Sequence, residues 1–223
     1  MVRIGAVTIG QSPRDDVVPE LARRLGGDVE IVQRGALDGI SVDLIRANSP
    51  SSEETTLVSR LQDSAEVTID KNFVLPRLQD QIRVLEEQAI RIIMLLCTHK
   101  FSELYSNVTL LRPASALERI VERLEVQRLG VFTPSKDQVR AQRVRWRKYA
   151  SEGIRVSSAS PYLEGAAIEK AAAAMRDKRV DVAVMDCIGY TETMRSRAQE
   201  VLNVPVYSAV GALAEIAAEA IER

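Results

Sequence analysis

The chain has 223 residues, a net charge of −1, 46% hydrophobic and 27% charged residues. Near-neutral charge excludes a global pull toward nucleic acid or anionic membrane, and no stretch approaches the roughly 20 apolar residues of a membrane span. Aromatic content of 4% argues against a base-stacking surface, and two cysteines are too few for a disulfide framework. Free thiols in a cytoplasmic protein are the expectation.

In chain order, Arg3 to Thr8 reads as a strand. Its short apolar run soon meets Gln and charges, unlike a signal peptide. A polar turn follows, in which Pro13 suits the first turn of a helix that places Asp15 and Asp16 at its positive end and stops at Gly26-Gly27. Val29 to Gln33 is a second strand, and Ser41 is positioned to cap a short helix. Leu57 to Leu61 and Ala65 to Asp70 suggest a hairpin. Asn72 to Gln88 carries Phe73, Leu75, Leu78, Ile82 and Leu85 at helical spacing. Ile90 to Leu96 is an apolar run that ends in Cys97, Thr98 and His99.

A helix over Ser115 to Glu125 leads to a strand over Gln127 to Phe132. A basic helix is expected over Gln138 to Ser151, a strand over Ile154 to Ser158, and an Ala-rich helix over Pro161 to Arg179. Then comes VDVAVMDCIGY, an apolar run that ends in Cys187. A helix to Leu202, a strand over Val204 to Ser208 and a helix from Gly211 complete the chain. Strands alternating with helices, many of them apolar runs, give an α/β class with parallel sheets.

RIGAVTIGQSPRDDV from Arg3 and RLGVFTPSKDQV from Arg128 share a plan, and each half later reaches an apolar strand ending in a cysteine. Two pseudosymmetric lobes follow from this repeat. Residues 1–113 plus 205–223 are assigned to the first and 114–204 to the second. Ligands of open α/β sheets bind at the carboxyl ends of strands, so Cys97 and Cys187 fall beside one central cleft.

A thiolate is a competent base, and nearby donors or a helix N-terminus lower its pKa. Two thiols on opposite faces of a planar carbanion can remove a proton from one face and deliver one to the other. The alternative is structural, since free cysteine is among the most buried residue types. His99, the sole histidine, can tune Cys97, bind substrate or simply lie exposed in a loop; zinc is not expected. Thr8, Gln11, Ser12, Arg14, Thr133, Ser135 and Gln138 follow the two matched strands and suit a carboxylate, although ordinary helix capping explains some of them. Lys71 and Arg77 are further carboxylate partners to consider.

No dinucleotide fingerprint, phosphate-binding loop or hydrolase elbow is present. The run Arg140, Arg143, Arg145, Arg147, Lys148 around Trp146 reads as a solvated helix face rather than a nucleic-acid surface.

TIGQSPRDDVVPEL near the start, SEETTLVSRLQD from Ser52, and VMDCIGY followed by NVPV near the end resemble the AroM family over nearly the whole chain. That family is similar in turn to the Asp/Glu/hydantoin racemase superfamily. The resemblance implies two pseudosymmetric Rossmann-like lobes with the active site between them. It also implies proton transfer without a cofactor at a carbon next to a carboxyl or carbonyl, with Cys97 and Cys187 as the acid/base thiols. Thr98 matches a polar residue after the first cysteine, and Gly189 and Tyr190 fall in the corresponding segment after the second. Gly10-Gln11-Ser12 replaces the usual Asp-Ser-Gly turn, and the Cys-Thr-His order stands at the first cysteine instead of the second. The expected function is racemisation or epimerisation of an amino acid or related small carboxylate. A single-thiol isomerase or decarboxylase and a non-enzymatic carboxylate-binding protein are the alternatives. No nucleic-acid or membrane partner is expected, and the Ala-rich C-terminal helix leaves a homodimer open.

Overall fold

The computed structural model describes residues 1–163 and 166–222. Two four-stranded parallel sheets organise them. The first contains β1 (Val2–Thr8), β2 (Val29–Gly35), β5 (Ile92–Leu96) and β6 (Thr109–Leu111), in the order β2-β1-β5-β6. The second contains β7 (Arg128–Thr133), β8 (Gly153–Ser158), β9 (Val182–Met185) and β10 (Val206–Ser208). Its order, β8-β7-β9-β10, is the same plan repeated. In each sheet the strand leading to a cysteine lies beside the first strand of its half. The order reverses there, which is where a crevice opens at the carboxyl edge.

Strand side chains alternate between faces. Ile4 and Ala6 of β1 face a central core, while Val7 faces an outer one. The central core joins both sheets through Met94, Leu96, Leu129, Val131, Val182 and Val184, together with three helices. These are α1 (Val18–Leu25), α4 (Pro113–Arg123) and α8 (Ala209–Ile221). On the far side of the first sheet, α3 (Lys71–Glu87) buries Val74, Leu78, Ile82 and Leu85. On the far side of the second, α6 (Ala167–Arg176) and α7 (Glu192–Leu202) complete a third core. No helix among the described residues is long and apolar enough to cross a membrane. Strand β10 pairs with β9 of the second sheet, whereas α8 packs against α1, α4 and β5.

Between β2 and α3 lie a short helix, α2 (Val42–Ala47), capped by Ser41, and a hairpin. The hairpin pairs β3 (Thr56–Arg60) antiparallel with β4 (Glu66–Asp70). It reaches the segments that follow β7 and β8: the Gln138 amide donates to the Thr56 carbonyl at 3.1 Å, and the Ser160 hydroxyl donates to Glu66.

Three elements differ from expectation. Pro13 does not open a helix. It follows a cis peptide after Ser12, and α1 begins at Val18 with Pro19 in its first turn. The intervening loop is held instead by Asp38, which accepts from the Ser12 N–H at 2.7 Å and from the Ser12 hydroxyl at 2.6 Å. Asp16 therefore pairs with Arg14 rather than with a helix end. The Ala-rich helix runs only from Ala167 to Arg176, so Pro161 to Leu163 form loop, and the expectation over Glu164 and Gly165 lies outside the described residues. The basic helix, α5, spans Val139–Trp146 and tightens into a 3-10 turn over Arg147–Tyr149.

The hairpin sits against the loop after β1 at Gly10. A Cβ there would collide with the Ser59 hydroxyl and lie 2.5 Å from the Arg60 carbonyl oxygen. Gly10→Ala should therefore destabilise the protein by about 1–3 kcal/mol through overpacking. Urea unfolding should show a lower midpoint at unchanged slope, and an unchanged midpoint would contradict this seating of the hairpin.

Candidate active site

A cavity of about 280 Å³ lies where the carboxyl ends of the two sheets face each other. Both cysteines line it. Cys97, Thr98 and His99 enter from the end of β5, and Asp186, Cys187 and Ile188 from the end of β9. The Thr98 hydroxyl donates to the Asp186 carbonyl at 3.1 Å, so the two strand ends touch. Strand β3 closes one side with Leu57, Val58 and Ser59, and α5 another with Gln142 and Arg145. Tyr162, from the loop before α6, also lines the space.

The thiols are buried and free. Burial pushes Cys97 up to about 12, against the His99 N–H that donates to its sulfur at 3.4 Å. Burial likewise pushes Cys187 up to about 11, opposed by the Gly189 N–H, the Arg14 cation and the Tyr162 hydroxyl. Neighbouring donors were expected to lower these values. The donors are there, but loss of solvation outweighs them. His99 does not supply a cation to Cys97 either. Burial, reinforced by Lys71 and Arg145, pushes its imidazole down to about 4, and the ring packs edge-on against Phe101.

Arg14 is 2% exposed and makes four side-chain hydrogen bonds. Its Nε and Nη2 chelate Asp16 at 2.8 and 2.7 Å, Nη1 donates to the Thr8 hydroxyl at 3.0 Å, and Nη2 also donates to the Tyr162 hydroxyl at 3.2 Å. Burial alone would raise the Asp16 carboxyl, but the Arg14 guanidinium holds it below its ordinary range. The Tyr162 oxygen in turn lies 4.0 Å from the Cys187 sulfur. One fixed cation is thus delivered to the Cys187 side of the cavity.

Arg145 serves the opposite side. Its Nη1 donates to the Thr98 carbonyl at 3.1 Å and to Asp186 Oδ2 at 2.8 Å, while Nε donates to Glu118 at 3.0 Å. The Trp146 indole also donates to Asp186 Oδ2, at 2.8 Å. Arg145 was expected on a solvated helix face. Arg140, Arg143, Arg147 and Lys148 are exposed as expected, but Arg145 turns inward. The spacing of Gln138, Gln142 and Arg145 puts them on one helix face, and Trp146 among the charges marks the side that is buried. That was the signal available in the sequence. Asp186, Ser59 and Tyr162 carried no comparable signal.

Of the other expected site residues, Thr8 and Thr133 stand behind the cavity, on Arg14 and on Gln138 respectively. Gln138 lines the cavity and also bridges to β3. Gly189 packs against the Tyr162 ring. Four more residues do not line the cavity, because nearby backbone or side-chain groups or the core engage them. Gln11 bonds Leu37 and Gln62, Ser12 bonds Asp38, Ser135 caps the turn at Asp137, and the buried Tyr190 donates to the Ala159 carbonyl at 2.6 Å. Lys71 pairs with Glu103, and Arg77 stacks on Phe73. Among the described residues no cluster of His, Cys, Asp or Glu could hold a metal ion.

A profile of the family described as AroM protein matches residues 4–221. The chain belongs to the AroM family. Comparison with curated protein sequences finds no match. Solved structures share the fold at low identity. Picrophilus torridus aspartate racemase is similar at a TM-score of 0.67 and 14% identity, over 100% of this chain and 95% of the other. Nocardia farcinica maleate cis-trans isomerase bound to TRIS is similar at 0.66 and 15%, over 100% and 93%. An arylmalonate decarboxylase is similar at 0.61 and 15%, over 99% and 92%. This AroM-family chain therefore shares the fold of these three enzymes.

A side chain at Gly189 would meet Tyr162 directly, since a Cβ would lie 2.5 Å from its hydroxyl and 2.6 Å from its ring. Gly189→Ala should cost about 1–3 kcal/mol of stability. Adding Tyr162→Ala should return part of that loss, giving a favourable coupling energy in a double-mutant cycle. Strict additivity would mean that the two residues do not pack as described.

Proposed function

We propose that this chain is a cofactor-independent racemase or epimerase acting at the carbon next to a carboxylate, with Cys97 and Cys187 as a two-base pair. The observation that carries this is the matched position of the two thiols. Each follows the equivalent strand of an equivalent sheet, and both line one cavity. In the forward step a thiolate on one side takes the α-hydrogen as a proton, leaving the electron pair on the carbon as an enolate-like carbanion. The thiol on the other side gives its proton to the opposite face. The first cysteine ends as a thiol and the second as a thiolate, so charge and protons balance. Fold relatives named as racemases support an isomerase-type enzyme.

One observation favours a second reading, a one-thiol isomerase or decarboxylase based on Cys187. Arg14 and Tyr162 stand at Cys187 and, with the Gly189 N–H, oppose the effect of burial there, whereas the first group to oppose it at Cys97 is the His99 N–H. The fold relatives named as maleate isomerase and arylmalonate decarboxylase fit that chemistry.

Solvent deuterium exchange separates the two. Wild-type protein in D₂O should label the α-carbon of a small carboxylate, read by mass spectrometry alongside chiral analysis. With a two-base pair, Cys97→Ser and Cys187→Ser should each abolish inversion, while one of them retains exchange without inversion. Normal turnover in Cys97→Ser with loss in Cys187→Ser would select the one-thiol reading. Normal inversion in both variants would end both.

The raised thiols set the pH dependence. Below its pKa a thiol is mostly protonated, and the reactive thiolate grows with pH. The kcat/KM should therefore climb by about tenfold per pH unit from neutral pH toward pH 9. A profile flat across that range would mean that no buried thiol supplies the base.

A further inference from the structure

Five buried side-chain polar atoms among the described residues lack a hydrogen-bond partner, and four belong to residues that line this one cavity: Ser59 Oγ, Gln142 Oε1, Arg145 Nη2 and Asp186 Oδ1. Buried polar groups are rarely left unpaired, because the lost solvation is costly. A concentration of them around one space indicates a ligand that completes them. Arg145 and Asp186 make the point most sharply. An arginine and a carboxylate commonly meet through two parallel hydrogen bonds. Here the pair closes through Nη1 and Oδ2 alone, at 2.8 Å, and both second atoms stay unpaired.

The unpaired set is mixed in sign. Arg145 Nη2 is a charged donor, and the Ser59 hydroxyl can donate from the β3 wall of the same cavity. Asp186 Oδ1 is a charged acceptor, and Gln142 Oε1 a neutral one. Charge at this end is balanced as well. Arg145 and Lys100 face Glu118 and Asp186, joined by contacts of 2.8 to 3.0 Å. A dicarboxylate would bring a second negative charge toward Asp186 and leave both acceptors unmet. A simple monocarboxylate or hydroxy acid would satisfy Arg145 but give Asp186 at most one neutral partner. A group with a carboxylate and an ammonium on the same carbon matches all four atoms with no net charge. The remaining wall near β3 is hydrocarbon, from Ile9, Leu57 and Val58. The cavity volume lies near the lower end for ligand sites, so the ligand is small.

We propose that the cavity binds the zwitterionic head of a small aliphatic α-amino acid, its carboxylate on Arg145 and Ser59 and its ammonium on Asp186 and Gln142. This rests on the reading of the same cavity as the reaction site, and it names the substrate class. Keeping the ammonium protonated next to the α-carbon also favours loss of the α-proton, because the cation stabilises the developing carbanion.

Binding tests it independently of turnover. Isothermal titration calorimetry on the wild type and on a Cys97→Ser/Cys187→Ser double variant would use alanine, valine and leucine of both hands. The comparators are 2-hydroxy-3-methylbutanoate, 3-methylbutanoate, N-acetylvaline, malonate and maleate. The amino acids should bind at least about tenfold tighter than every comparator, the expected effect of one unmet buried charge partner. Asp186→Asn should bring that preference toward unity without weakening the hydroxy acid. Since Asp186 also accepts from Trp146, Gln142→Met, which removes an acceptor that bonds nothing among the described residues, should reduce the preference severalfold in a normally folded protein. Equal or tighter binding of a hydroxy acid or dicarboxylate would overturn the assignment, as would absence of amino-acid binding at millimolar concentration. Amino acids that bind both proteins but acquire no deuterium from the wild type would leave the assignment standing and remove proton transfer. Deuterium confined to hydroxy acids or malonate would do the reverse.

Discussion

The Arg145 guanidinium contacts the carbonyl of the residue after Cys97 and the carboxylate of the residue before Cys187. It therefore ties together the two strand ends that carry the thiols, and it does so from a helix belonging to neither strand. Glu118 of α4 and the Trp146 indole hold the network in place from behind. Ion pairs removed from water gain little net stability unless every group is bonded. Here the bonded atoms face the protein and the unbonded ones belong to residues of the cavity wall. That distribution is suited to fixing geometry and leaving a recognition surface.

Arg14 shows the opposite solution. Its guanidinium is buried and satisfied by Asp16, Thr8 and Tyr162. Its charge is held close to Cys187, while its hydrogen bonds are almost used up. It shapes the potential at the sulfur more than it offers a grip to a ligand. Burial works against the thiolates, and Arg14 with the Gly189 N–H recovers part of the loss at Cys187. A dry cavity raises the energy of a thiolate before reaction. It also strengthens every oriented charge around the carbanion that such a thiolate would form.

The hairpin of β3 and β4 joins the two halves over the site. It depends on close backbone approach at Gly10 and on hydrogen bonds from Gln138 and Ser160, in the segments after β7 and β8. The repeated strand order was legible in the sequence because each half begins with the same Arg-apolar-Gly pattern and each cysteine follows an apolar run. The hairpin was legible from two short runs separated by turn residues. Pro13 misled because two prolines compete to open α1, and the choice between them was made by Asp38, a residue over 20 positions away that captures Ser12.

By itself, the sequence determined the parallel α/β class, the duplicated plan and the arrival of both thiols at strand ends. These follow from hydrophobic periodicity and from the rule that strand exits form the binding edge, both of which are local. Tertiary structure decided which polar residues face the cavity. Arg145 turned in while its neighbours on the same basic helix stayed out, and Gln11, Ser12 and Ser135 were taken up by nearby backbone and side-chain groups. Asp186 and Ser59 came to line the site with one unpaired side-chain oxygen each. Outside a helix with one buried face, a polar side chain carries no periodic signal of its own direction. Its role is set by whether a partner lies within hydrogen-bond reach, and that depends on segments brought together only by folding.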